Sequence, residues 1–275
     1  GLDPGFAVLA GRTKGWCHVH LVELDAALAT FEEAIRVKEE LEPWLLKVYS
    51  SLDVIPRDAK LYLDLAQIYV ARGEYDKALA ALDKSLADDA REFETPWLIG
   101  LIHMIRGENE EALERFSAAL ELTPMDAAQK KQAKALEPQL RLVLHSAKSL
   151  AQIAPVFENL ANMFFMFKMN QERQGKKSED MDVLLRAMRD FQWLLWKEVG
   201  NAEKLVSAGE KVVRISPWDP SAHVRLAVSH AIAGDAAKSA AALAEAEKRD
   251  FRNWAYVQSS PDFAKVRDDP AFPRR

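Results

Sequence analysis

The chain has 275 residues, 49% of them hydrophobic and 29% charged, with a formal net charge of −5, values typical of a soluble globular protein. A mild acidic excess with no basic cluster longer than two residues excludes the electrostatic footprint of a nucleic-acid binder. No apolar run approaches the roughly 18 residues of a membrane span, and a single cysteine, Cys17, excludes an internal disulfide framework.

The opening, GLDPGFAVLAG, has neither the basic start nor the uninterrupted apolar core of a secretory leader. Its LDPGFA stretch has the form of a loop between two helices. The sequence therefore predicts a trimmed N-terminus from which an export signal could have been lost, and points to the bacterial periplasm or envelope over the cytoplasm. From there onward Gly is scarce, and Ala, Leu, Glu and Lys recur at helical spacing. That pattern predicts roughly fourteen helices and no sheet.

ELDAALATFEEAI is the first clear amphipathic helix, and PWLLKVYSSL follows as an extra one. Internal repetition begins with LYLDLAQIYVARGEYDKALAALDKSLADDA and PWLIGLIHMIRGENEEALERFSAALELTP. Leu65 and Ile99, Ala66 and Gly100, Gly73 and Gly107, Ala78 and Ala112, and Leu82 and Phe116 are each 34 residues apart. Gly200 and Gly234 keep the same spacing. Ala27, Phe31 and Ala34 precede Ala78, Leu82 and Ser85 by 51 residues, one and a half periods, which accounts for the extra helix. A 34-residue period, with small residues where two helices cross and Gly at the turn between them, resembles the tetratricopeptide repeat (TPR) family.

The register breaks between Gly107 and Gly200. Residues 126–180 follow no repeat: a polar amphipathic piece leads to AQIAPVFENLANMFFMFKM and then to the charged loop NQERQGKKSED. On a helical wheel Val156, Leu160, Met163 and Phe167 share one face, Phe165 and Met169 point to the far side, and Met166 to a third. The next helix, MDVLLRAMRDFQWLLWKEVG, is apolar over more than half its circumference. The tail SSPDFAKVRDDPAFPRR reads as a short helix begun by Ser260 and Pro261, a cap for the last repeat. The expected organisation is an all-α, TPR-like right-handed helical solenoid: repeats over 1–125 with one extra helix, a Met/Phe-rich insertion over 126–180, repeats over 181–250 and a capping tail over 251–275.

Candidate chemistry is sparse. In GWCHVH, Cys17 and His20 are three apart, but no second ligand pair follows at zinc-site spacing. The repeat alignment instead puts His18 in the slot of Tyr69, His103, Trp196 and His230, where the TPR resemblance implies a packing aromatic. No GxxxxGK, HExxH, GxSxG or GxGxxG occurs. We therefore expect no catalytic residues, metal ligands or cofactor.

In TPR proteins the first helix of each repeat lines a concave groove. Carried through the register, the resemblance places Leu63, Gln67 and Val70, then Trp97, Leu101, Met104 and Ile105, then Val224, Val228, Ala231 and Ile232 in that groove. The Lys, Asn and Arg that clamp a terminal carboxylate in one TPR subfamily have no counterpart here. Three outcomes are open for an apolar groove. The Met/Phe helix and FQWLLW, through Met163, Phe164, Phe167, Trp193 and Leu194, fill it, or wall a pocket for an apolar guest, or present an apolar face to a partner. The expected function is a non-enzymatic scaffold holding a hydrophobic segment of another protein. The alternative is a carrier for an apolar small molecule, a lipid or sterol.

Overall fold

The computed structural model describes residues 4–41, 43–51, 59–123, 125, 127–135, 137–147, 149–175 and 179–273. Among them are fifteen α-helices, one 3-10 turn and no strand. They are α1 (Pro4–His20), α2 (Leu24–Glu40), α3 (Pro43–Ser51), α4 (Ala59–Ala71), α5 (Tyr75–Asp88), α6 (Glu94–Ile105), α7 (Asn109–Leu122), α8 (Ala127–Lys134), α9 (Glu137–Ser146), α10 (Leu150–Arg173), α11 (Glu179–Val199), α12 (Ala202–Ile215), α13 (Pro220–Ile232), α14 (Ala236–Glu247), α15 (Trp254–Ser259) and the 3-10 turn Pro261–Phe263. Part of the LDPGFA stretch, Leu52 of the extra helix and residues 176–178 of the NQERQGKKSED loop lie outside the described residues. Pro4 to Ala7, expected in a loop, form the first turn of α1, where the fixed φ of proline suits a helix start.

Two compact units divide the chain. Unit 1 comprises Gly1–Val19 with Glu23–Arg141, and unit 2 comprises His20–Val22 with Leu142–Arg275. In unit 1, α4 pairs with α5 and α6 with α7. Helices α4, α5 and α6 share with α1 and α2 a core that includes Phe31, Leu61, Leu63, Ile68, Leu82 and Ile102, all at most 2% exposed. Close crossing requires missing side chains. A Cβ on Gly100 would lie 2.8 Å from the Phe116 ring and 3.1 Å from the Ala112 carbonyl, so only glycine lets α6 approach α7 this closely.

The hairpin turns repeat one device. The backbone N–H of Glu23, Glu74, Glu108 and Asp235 donates to the carbonyl five residues earlier, on His18, Tyr69, His103 and His230, at 2.8–2.9 Å. This closes the preceding helix and reverses the chain. It needs a residue with positive φ just before it, supplied by Gly73, Gly107 and Gly234 at 74°, 77° and 83°. In the α1–α2 turn the position is held by Val22, at 62°, a conformation costly for a β-branched residue.

In unit 2, α10 packs on α11, α11 on α12, α12 on α13 and α13 on α14. Asn201, Asp219 and Asp235 cap α12, α13 and α14 by accepting from backbone N–H groups. The short turn read from Ser260 and Pro261 is present, with the Ser260 hydroxyl accepting from the Asp262 N–H. It packs against α13, and Phe263 stacks with Phe272 at 5.6 Å.

Candidate functional site

The residues inferred to line a groove are mostly closed. In unit 1 Leu63 is 2% exposed, Trp97 7%, Leu101 3% and Met104 1%, while Gln67, Val70 and Ile105 are half-buried. Leu63 joins the core that runs from α1 to α6. Trp97 turns to its own partner helix, its ring 4.9 Å from Phe116. In unit 2 Val224 and Val228 are buried on α13, the helix against which the tail turn packs, and Ala231 is buried beside them. Ile232 stays half-buried, and its carbonyl accepts from Lys265 of the tail.

Around α10 the arrangement differs. Its fully buried stripe is Ile153, Phe157, Ala161 and Phe164, which leaves Val156, Leu160, Met163 and Phe167 half-buried at its edge. Ala154 and Ala161, seven residues apart, have no accessible surface, and Phe157 meets Phe191 of α11 edge-on at 5.5 Å. Phe164 contacts Phe167 at 5.9 Å. Beyond this docked face, Met166 is 62% exposed, and Phe165 and Met169 are half-buried. Sequence reasoning left Met166 out of the candidate set. The Ala154–Ala161 and Phe157–Phe164 spacings were the signal for the docked face, and hence for what remains outside.

Polar contacts pin α10 in place. The Arg189 guanidinium, on a residue 5% exposed, donates to Gln192 Oε1 at 2.7 Å and to Asn162 Oδ1 at 2.9 Å. It takes amide oxygens where a carboxylate is the usual partner, and burial pulls its pKa down. Glu158 accepts from Lys211 at 2.5 Å. Burial opposes its charge, yet Lys211 and Lys204 hold the carboxyl below its usual range. Lys168 pairs with Asp182 and Glu172. On α11, Trp193 is 9% exposed and its Nε1 donates to the Ser229 hydroxyl at 2.8 Å, while Leu194 is half-buried.

The slot shared by His18 and His103 has a role beyond packing. His18 Nδ1 lies 2.6 Å from Glu23 Oε2 and His103 Nδ1 lies 2.5 Å from Glu108 Oε2, so each ring meets the glutamate that opens the following helix. Cys17 is exposed. Among the described residues no group of three or more His, Cys, Asp or Glu could hold a metal ion, and no helix is long and apolar enough to cross a membrane.

The profile of the tetratricopeptide repeat matches residues 44–95 and, in an overlapping register, 63–127. No curated protein matches the sequence. Among solved structures, the MamA protein shares 13% identity at a TM-score of 0.36, over 92% of this chain and 96% of that one. The P58(IPK) TPR domain shares 17% at 0.37, over 94% and 63%. The TPR2AB domain of yeast Sti1, solved in a complex with pHSP90, shares 12% at 0.35, over 95% and 99%. Scores this low set no residue-by-residue correspondence. The repeat profile rests on the residues whose spacing defines α4–α7: residues 44–127 match the tetratricopeptide repeat, within a chain that is all α-helical among the described residues.

Proposed function

We propose that the protein is a non-enzymatic binding scaffold that holds a hydrophobic segment of a partner protein against the Met- and Phe-rich outer face of α10. The observation that supports this reading is Met166, 62% exposed and flanked by the half-open Met163, Phe165, Phe167 and Met169. A soluble helix gains nothing from this surface on its own. At roughly 25 cal/mol per Å², covering a few hundred Å² of it releases several kcal/mol. Methionine suits the task, because its unbranched thioether adapts to an irregular apolar surface. The closed groove positions Leu63, Trp97, Leu101, Met104, Val224 and Val228 then serve as the rigid support of the helices rather than as the contact.

The reading is tested by placing a photo-cross-linking side chain at position 166 in the native host, with a second at the exposed Glu110 as control. The expected result is a discrete protein adduct from 166 alone, abolished by Met169→Glu with no change in melting temperature. Affinity for that partner changes little between about 50 and 500 mM salt, since the contact carries little charge. Equal labelling from both positions overturns the reading. A stoichiometric lipid in native mass spectra with organic extraction replaces it with the carrier alternative.

A further inference from the structure

The first helices of the two regular repeats of unit 1 meet at an uneven charge balance. Lys60, near the start of α4, lies 3.6 Å from Glu92 and 3.8 Å from Glu94. One ammonium thus serves two carboxylates. Both glutamate side chains are only 13% exposed, while the lysine is 40% exposed. One turn further along α4 lies Asp64, 3% exposed and held by Arg12 of α1 through Nε at 2.6 Å and Nη2 at 3.4 Å. Arg12 is committed to Asp64, and among the described residues Lys60 is the cation within 4 Å of the glutamate pair.

Among the described residues no other cation forms an ion pair with Glu92 or Glu94. The groups on the elements packed against α6 include the half-buried Arg115 and the exposed Glu110, Glu111 and Glu114 of α7, and Lys77 of α5, which pairs with Glu74. On α5, Lys84 is taken by Glu39 and Asp88 by Lys38. At the end of α7, Glu121 is taken by Lys134. Asp89 and Arg91, in the α5–α6 connection, pair with each other. Two carboxylates sharing a poorly hydrated site with one amine cannot both ionise without mutual repulsion.

We propose that Glu92, Glu94 and Lys60 form a proton-operated latch, which holds the start of α6 against α4 while one carboxyl keeps its proton and loosens it once both are ionised. Burial, with Glu92 next to it, raises the Glu94 carboxyl to about 7 against the pull of Lys60. The raised value gives the sign. The folded chain holds the proton more tightly than the unfolded chain, whose glutamate keeps its ordinary value of 4.5. Stability therefore falls as pH rises from about 4.5 to about 7 and levels off above. Across that full range this one group changes the folding equilibrium by roughly 300-fold.

Two measurements decide it. Carboxyl-carbon NMR of the intact chain gives the Glu94 midpoint directly, and a value near 7 is expected. Chemical denaturation between pH 5 and 8 then compares the wild type with Glu94→Gln. The wild type loses stability across this range. Glu94→Gln is expected to be flatter, to be more stable than wild type at pH 8, and to slow amide exchange in the first turn of α6 at that pH. A Glu94 midpoint between 4 and 5, or a Glu94→Gln profile parallel to wild type, overturns the latch.

Discussion

The α6–α7 pair and the α10–α11 pair solve the same packing problem with different means. In α6–α7, helices of 12 and 14 residues cross at Gly100, and the Phe116 ring fills the space that a side chain would have taken. The larger part of the pair's apolar side chains is buried, Leu98, Ile105, Leu120 and Leu122 are half-buried, none of the large ones is exposed, and Glu110, Glu111 and Glu114 of α7 are exposed. In α10–α11, helices of 24 and 21 residues meet through Phe157 and Phe191 and are pinned by a buried arginine between two amides. Their apolar content exceeds what the crossing consumes, and the surplus emerges at Met166. The α6–α7 pair leaves no large hydrophobic side chain exposed, whereas the α10–α11 pair leaves Met166 open, the surface that the proposed partner segment would cover.

The largest expected effects are at the two aromatic anchors. Trp97→Ala and Phe164→Ala, 7% and 2% exposed, should each cost about 3 to 5 kcal/mol in urea unfolding. Should Phe164→Ala cost under about 1.5 kcal/mol, α10 is docked far more loosely than α6. Gly100→Val comes next, at about 1 to 3 kcal/mol, because the new side chain strikes both a ring and a carbonyl. An equivalent Ala161→Val on α10 sharpens the comparison: a cost as large means that the inserted pair is packed as tightly as the repeat.

Ser229→Ala leaves the buried Trp193 N–H without its acceptor and should cost about 1 to 2 kcal/mol, read as a lower urea midpoint at constant slope. Val22→Gly should act in the opposite direction, gaining about 0.5 to 1 kcal/mol by removing a β-branched residue from φ 62°. This would bring the first hairpin turn to the standard of those at Gly73 and Gly107. The smallest effect on stability is expected at the outer face. Met166→Glu should stay within about 0.5 kcal/mol of wild type, and a loss above about 1.5 kcal/mol would mean that the residue is part of the fold's own packing.

Much of the fold follows from spacing within the chain. The 34-residue period locates α4 to α7, Gly73, Gly107 and Gly234 mark turns that need positive φ, and Ser260 with Pro261 announces the tail turn. These are local constraints: helix pitch, turn geometry and capping are set by residues a few positions apart, so the sequence alone determines them. What lies across a helix is not a local property. The residues MFFMF around position 165 are equally apolar, and no periodicity within them says which will be buried. Only the tertiary structure decided that Phe164 is closed at 2% while Met166 stays open at 62%, because the choice belongs to the surface of α11 that α10 meets. Likewise the glutamates at 92 and 94 read as ordinary surface charges until Lys60, more than thirty residues earlier in the chain, is placed between them. Burial and a shared counter-charge are long-range effects, and folding alone creates them.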